Sequence, residues 1–468
     1  MIEFPFIGGT YPEDDLTYSP QRTVNLVPEA DPNYKSQKVL GGFPGYTRVT
    51  RCGNGPIRGA LPFGDELIVV SGNTIYKVST GFAATPIGTI GTSSGRVSMD
   101  ENGVQVMIVD GQDGWIWNGV TLTKIIDETF TATGADSVTH MDSFFVVNQP
   151  GTGTIWASDS FDGTSWNALR TANAEFKSDP IVLVKADREL YLGGTFTTQA
   201  YYNSGASPMP FEAIRSSRLV YGVAAKDSWV LIGNTSYFLA QDANGGVFVG
   251  RLNGSSVERV STRAWERVWA GYDYSDAYAM GIHYRGQEWY VLTFPESDHG
   301  FGRTFLYVVS TGDWVELGVY KPSVGDFGKW PALVHAYFGG KNLVGVGDGW
   351  LCELDHTVHT FDGNTMISLR RSPVLHDKRE KLSIRNFTVD METGNETPSV
   401  PDPQMIMRHS KDGGHTWKNT RYASTSNDAT NKRKHEVSFR QLGQGRDWVF
   451  EVSISDDVSR KFMGGYVS

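Results

Sequence analysis

Four short stretches of the 468-residue chain hold residue types that could do chemistry. SKDGGHTW (410–417) places Ser410, Asp412, Gly414, Thr416 and Trp417 in the spacing S-x-D-x-G-x-T-W. A carboxylate at the Asp412 position can accept backbone N–H bonds across a tight hairpin turn. Glycine supplies dihedrals that other residues avoid, and Trp417 is expected to pack beneath. SFDGTSW (160–166) is a weaker version, with Asp162, Gly163 and Trp166. GTSSG (91–95) has the spacing of a nucleophile elbow, with Ser93 as its serine. That elbow needs a strand before it and a helix after it. The following RVSMDENGVQVMIVD reads as two strands joined by a turn, so Ser93 is read as a loop serine. Cys352, His356 and His359 in CELDHTVH could ligate a metal, but no second cluster stands at a suitable spacing. A strand and turn account for them better. Neither a Walker loop nor a G-x-G-x-x-G between strand and helix is present. The expectation is a chain with no catalytic residue, no metal and no cofactor.

The 410–417 pattern resembles the Asp-box of sialidases and several other β proteins. A sialidase also needs an arginine cluster for a carboxylate, an acid/base carboxylate and a tyrosine nucleophile. The N-terminal arginine signature of that family is absent, and only one full copy of the box occurs. The box is therefore read as a structural hairpin turn. A carbohydrate-binding or sialidase-like depolymerase protein is the alternative function it leaves.

The elements that must carry these turns are strands. Residues 1–55 hold Pro5, Pro12, Pro20, Pro28, Pro32 and Pro44 with little periodicity. Proline removes a backbone donor, so this stretch is expected to be an extended arm and to supply no central strand. From 56 to 370 come strand-like runs such as ELIVVSG (66–72), VQVMIVDG (104–111), SFFVVNQ (143–149) and EWYVLTF (288–294), separated by Gly, Asp, Asn and Ser. VERVSTRAWERV (257–268) is the best helix candidate. Aromatic strands recur about every 40 residues, the length of a four-stranded propeller blade. The reading is an all-β protein with a β-propeller of six or seven blades. One divergent blade is expected in the gap between Tyr237 and Tyr307. Longer strands from 371 to 468 predict a C-terminal β-sandwich.

Composition agrees with an ordered β protein, with 53 Gly, 13 Trp, 20 Tyr and 24 Phe and only 20% charged residues. A net charge of −10 disfavours a general nucleic-acid binder. Two distant cysteines give no disulfide framework, which suits a reducing compartment. No signal peptide and no apolar run of membrane-spanning length are read, so folding in a cytoplasm is expected. Against the acidic whole stand two basic clusters, HDKREKLSIR (376–385) and NKRKHE (431–436), read as a docking patch or as solvated loops.

QRTVNLVPE (21–29) and GGFPGYTRV (41–49) resemble the start of packaged-DNA stabilisation proteins, the tail hub or nozzle family of short-tailed bacteriophages. GRVSMDENG (95–103), SDSFDGTSWNAL (158–169) and MRHSKDGGHTW (407–417) look like further landmarks of that family, in order along the chain. The resemblance implies a structural virion protein, made in the host cytoplasm and placed in the phage tail. It implies a homohexameric ring below the portal-adaptor protein ring, closing the head after DNA packaging and retaining the genome. Implied partners are a tail needle or plug, tailspike or fibre proteins, DNA passing through without specific binding, and transient contact with the host envelope. Candidate contacts with a neighbouring copy or partner are Val24, Asn25, Leu26, Phe43 and Pro44 of the arm. Lys378, Arg379, Lys381, Lys432, Arg433 and Lys434 of the basic clusters complete the set.

Overall fold

In a computed structural model, residues 2–468 are described except 14–15, 17–18, 31–36, 175–181, 187, 255, 298–299, 379 and 428–434, together with the side chains of 184–186. The architecture is mostly β, built of antiparallel sheets that resemble propeller blades. Four four-stranded sheets follow one another over residues 57–89, 98–124, 138–173 and 182–213. A five-stranded sheet covers 222–259, its first strand split into Gly222–Val223 and Val230–Ile232. The strands Tyr278–Tyr284, Gln287–Phe294, Arg303–Val308 and Asp313–Leu317 form the next unit. In the last unit, Val334–Phe338, Lys341–Gly345 and Trp350–Asp355 are joined on their outer side by a strand from the other end of the chain, Gly45–Arg51.

Each unit packs face-on against its neighbours, which explains the uninterrupted apolar runs in the sequence. A second strand such as Leu67–Val70 is wholly buried because alternate side chains enter two different cores. Ile68 and Val70 meet Val106 and Ile108 of the next sheet. Leu67 and Val69 meet Val334, Ala336 and Leu343 of the last sheet. The first and last units are thus also in contact.

The first 51 residues supply five strands to three sheets, and we label them β1 (Ile2–Phe4), β2 (Arg22–Val24), β3 (Leu26–Ala30), β4 (Lys38–Gly42) and β5 (Gly45–Arg51). The expectation that this segment supplies no central strand is corrected. β2 lies in the middle of a nine-stranded sheet, parallel to Asp313–Leu317 and antiparallel to Ser368–Arg371. Pro20 and Pro28 fall outside its three residues, so both ladders keep their donors. Pro28 itself sits in β3, an edge strand pairing only with β4, where a missing donor costs nothing.

Beyond β2 the same sheet continues through Ser368–Arg371, Val449–Ile454, Gln404–Ser410 and Arg421–Ser424. A six-stranded sheet, containing β1, β3, β4, Leu382–Met391, Glu436–Gly445 and Lys461–Val467, faces these strands over one core. Phe4, Phe6, Phe387, Phe439 and Phe450 stack through that core, with Phe387 and Phe450 centroids 4.3 Å apart.

Two further expectations change. Residues 257–268 divide into a strand, Ser256–Arg259, and a seven-residue helix, Arg263–Trp269, which buries Ala264, Trp265 and Trp269. Among the described residues, no additional sheet lies between Tyr237 and Tyr307. The connector carrying this helix lengthens that interval, and Tyr237 lies on the second strand of its sheet whereas Tyr307 lies on the third of the next.

The joint between the units and the C-terminal layers centres on Asn25, which is wholly buried with φ +53°. Its side-chain amide donates to the carbonyls of Gly318 and Ile367, both at 2.8 Å, and its side-chain oxygen accepts from Gly318 N–H at 2.9 Å. Its carbonyl accepts from Phe43 N–H and from the Ser368 hydroxyl. Asn25→Ala leaves three backbone groups without these partners and places alanine at a left-handed φ. Urea denaturation should show a loss of about 2–4 kcal/mol, and a loss below about 0.5 kcal/mol would contradict the joint described here.

Candidate functional site

Two arginine-centred clusters hold the N-terminal strands in place, and a glutamate-centred one joins strands of the C-terminal layers. Arg370, wholly buried, donates to the carbonyls of Phe6 (2.6 Å) and Gly9 (2.8 Å), to the Thr23 hydroxyl (2.8 Å) and to Gln21. Burial pulls its guanidinium down to about 9, still charged at neutral pH. Arg22 forks onto Glu316 at 2.9 and 2.7 Å and reaches Asp326 at 2.8 Å, while Arg303 binds Asp326 at 2.5 Å. Burial would raise the Asp326 carboxyl, yet the charges of Arg22 and Arg303 hold it below the usual range. Further along the same sheet, the nearly buried Glu451 accepts from Arg371 at 2.7 Å and from Arg408.

Residues 410–417 form a hydrogen-bonded turn in the connection between the strands Gln404–Ser410 and Arg421–Ser424. Asp412 accepts from Thr416 N–H (2.9 Å) and the Thr416 hydroxyl (2.6 Å), and the Ser410 hydroxyl donates to it at 2.6 Å. Ser410 in turn accepts from Gly414 N–H at 2.9 Å, and Gly414 has φ +104°. Desolvation acts to raise this carboxyl, but the hydrogen bonds from Ser410 and Thr416 hold it at about 2. Trp417 does not pack beneath the turn. It is half-buried and lies under two guanidinium groups, Arg408 at 4.6 Å and Arg371 at 5.0 Å. The buried indole nearby belongs to Trp448, with His409 stacked on it and Lys411 above.

The weaker motif is also a turn, and it joins two sheets. Asp162 accepts from Thr164 N–H and hydroxyl at 2.9 and 2.6 Å, and Trp166 is buried with its indole N–H on the Gly163 carbonyl at 2.9 Å. Gly163 N–H reaches the side chain of Gln105 in the preceding sheet. A Cβ at Gly163 would lie 2.4 Å from Ile116 and 3.0 Å from Phe145, so glycine is required by close approach.

GTSSG wraps a guanidinium. Arg58, 3% exposed, donates to the carbonyls of Gly72, Thr92, Ser94 and Gly95 and to the Thr92 hydroxyl, at 2.6–2.9 Å. All five donors are satisfied. This arginine carried no sequence signal, because most of its acceptors lie in a loop 34–37 residues away and are backbone carbonyls. Cys352 is buried, and burial pushes its thiol up to about 12, far from thiolate chemistry. His356 is exposed and His359 partly buried; among the described residues no metal-ligating group of three His, Cys, Asp or Glu forms.

The arm residues offered as contacts between copies are corrected. Val24, Asn25, Leu26, Phe43 and Pro44 are buried within the chain itself. Strand signals and a contact surface look alike in sequence when both are short and apolar. Lys378 and Lys381 are exposed, while Arg379, Lys432, Arg433 and Lys434 lie outside the described residues. A cavity of about 780 Å³ runs between the first strands of the successive sheets. It is lined by Gly59, Met99, Val138, Leu183, Val230, Met280 and Val334, one residue from each unit.

Antiparallel sheets that resemble propeller blades, with their turn carboxylates and buried arginines committed to hydrogen bonds within the fold, define a mostly β scaffold. The family described as "Bacteriophage P22 Gp10, beta-propeller" matches residues 2–359, and the chain belongs to that phage tail-stabilisation family. It is a structural, non-enzymatic component of the virion tail. No curated protein sequence matches it. Solved structures with partial likeness include the WD40 β-propeller domain of Doa1, at 11% identity, 67% of this chain, 98% of that chain and a TM-score of 0.39. The N-terminal domain of Nup159 is similar at 9% identity, 71% and 98% coverage and a TM-score of 0.40. PorZ, a surface component of the type-IX secretion system of Porphyromonas gingivalis, is similar at 10% identity, 72% and 44% coverage and a TM-score of 0.39. At these scores none bears on function.

Two outcomes test the site. Gly163→Ala should lower stability by about 1–3 kcal/mol through overpacking against Ile116 and Phe145, read by thermal melting. An unchanged melting temperature would show that the contact relaxes freely. Burial, with the positive charges of Lys411, Arg421 and Lys418, lowers His409 to about 4 from 6.5. The unfolded chain therefore binds a proton that the folded chain refuses. His409 contributes stability fully above pH about 6.5, lost as pH falls towards 4. Urea midpoints at pH 7, 5.5 and 4.5 should fall in that order, and His409→Gln should flatten the slope.

Proposed function

We propose that the chain is a seven-bladed propeller fused to a two-layer C-terminal body, and that six copies form a ring in the phage tail. β5 supplies the outer strand of the seventh blade, tying the end of the circle to its beginning. The contact between the first and last units, and a central cavity touched by every unit, support that closure. A velcro of this kind resists opening because blade-to-blade sliding requires breaking a whole strand ladder.

The ring would sit below the portal and adaptor, close the head after packaging, retain the genome, and anchor a needle or plug and spikes or fibres. Transient contact with the host envelope would follow from that position. The observation that carries this reading is the nine-stranded sheet, which makes the sixth blade and the C-terminal body one continuous β structure. Force applied to the body then passes into the propeller through hydrogen-bonded strands instead of a hinge. The central cavity is far too small for a duplex whose major groove alone is about 12 Å wide. DNA would therefore pass between copies, beside chains whose net charge of −10 each repels phosphates.

Particles assembled without the chain should fill with DNA and then lose it, and adding the purified chain should restore retention, measured as nuclease-protected DNA. Normal retention by particles lacking the chain would refute the genome-retaining role.

A further inference from the structure

The C-terminal part of the nine-stranded sheet turns one face, with Met405, Met407, Phe450 and Val452, into the two-layer core. Its other face carries two rows of directly opposed residues. In the first, Arg22 faces Arg371, Arg371 faces Glu451 and Glu451 faces Arg408. Two residues along each strand, Leu369 faces Ser453, Ser453 faces Ile406 and Ile406 faces Tyr422. Alternate residues of a strand share a face, so this register sets a charged row beside a mainly apolar one. The hairpin 319–328 covers only part of that face. Its Phe327 closes over Val24 and Leu369, and a groove of about 660 Å³ remains between hairpin and sheet. Tyr320 (37% exposed) and Val324 (49%) stand on the hairpin side, with Leu369 and Ile406 on the sheet side. Tyr422, 66% exposed, extends the apolar row beyond Ile406.

The ion pairs decide what the groove can take. Among the described residues, the guanidinium groups of Arg22, Arg303, Arg371 and Arg408 share three carboxylates, Glu316, Asp326 and Glu451. Glu451 serves both Arg371 and Arg408, so that end of the row holds a positive charge in excess. Arg408, with its side chain 40% exposed, is the most open of the four. Trp417 lies against both guanidiniums and fixes them beside the groove. A guanidinium so held pairs best with a carboxylate, which it can grip through two parallel hydrogen bonds. The aliphatic lining of Val324, Leu369 and Ile406 offers no partner to the hydroxyls of a sugar and suits apolar side chains. A nucleic-acid strand, with a phosphate at every residue, is opposed by the chain's net charge of −10.

We infer that this groove binds a segment of a partner protein that carries a carboxylate next to apolar side chains, with the carboxylate on Arg408 and the apolar side chains along Ile406 and Tyr422. Apolar burial supplies affinity there, and the charge pairing sets the register of the bound segment. The groove is built from strand register within one sheet and from its covering hairpin, so it depends neither on the blade count nor on the ring proposed above.

The test titrates the full-length chain with the capped peptide acetyl-Leu-Glu-Leu-Glu-Leu-amide, followed by calorimetry and tryptophan fluorescence. Saturable binding is expected, weakened by salt, and at least about tenfold weaker when glutamine replaces both glutamates of the peptide. Arg408→Gln should weaken binding of the acidic peptide by a similar factor. Tyr422→Ser, at an exposed position, should weaken both peptides alike without changing the melting temperature. Val120→Asp, exposed on the second sheet, should bind like the parent. Equal binding of the two peptides, no saturation below about 10 mM, or parental affinity in folded Tyr422→Ser would each overturn the inference. Displacement of the peptide by an equal concentration of inorganic phosphate would show a plain anion site and overturn it as well.

Discussion

Three residues of backbone, Arg22–Val24, hold the molecule's two halves in one sheet, and Asn25 locks the end of that strand. Few side chains could take the Asn25 position. It must accept a left-handed φ, donate twice and accept once, and do so in a site with no water access. Much of what surrounds it is arranged to keep β2 in place. Arg370 grips the chain before it, Arg22 forks onto Glu316 from within it, and Phe43 closes over the turn that follows.

That arrangement has a cost and a consequence. Arg370 is buried without a carboxylate among its hydrogen-bond partners, so its charge is balanced by carbonyl, hydroxyl and amide dipoles alone. Arg58 follows the same principle in the first sheet, with four of its hydrogen bonds spent on the 92–95 loop and the fifth on the Gly72 carbonyl. Such sites tolerate little displacement, because each lost acceptor leaves a buried donor unpaired.

The turn motifs behave alike although they look unequal in sequence. The full Asp-box satisfies its carboxylate locally and turns Trp417 towards two arginines. The partial motif buries Trp166 and fastens one sheet to the next. Motif completeness therefore described the turn and did not describe its use, which depends on the neighbour that the turn meets. Strands were legible because runs such as ELIVVS leave no polar face, and only a sheet buried on both sides tolerates that. The reading of residues 1–55 as an extended arm without a central strand was misleading, since Pro20 flanks β2 and Pro28 sits in the edge strand β3.

Local chemistry alone determined the all-β class, the turns at Asp162 and Asp412 and the loop at Ser93, while the family was legible only through the resemblance of landmark segments along the chain. The class, the turns and the loop follow from alternation, turn residues and short-range hydrogen bonding, which need no partner distant in sequence. The joint at Asn25, the cradle of Arg58 and the outer strand β5 were decided only by tertiary structure. Each joins groups separated by tens to hundreds of residues, and a buried donor or a sheet edge carries no mark in sequence of the segment that will satisfy it.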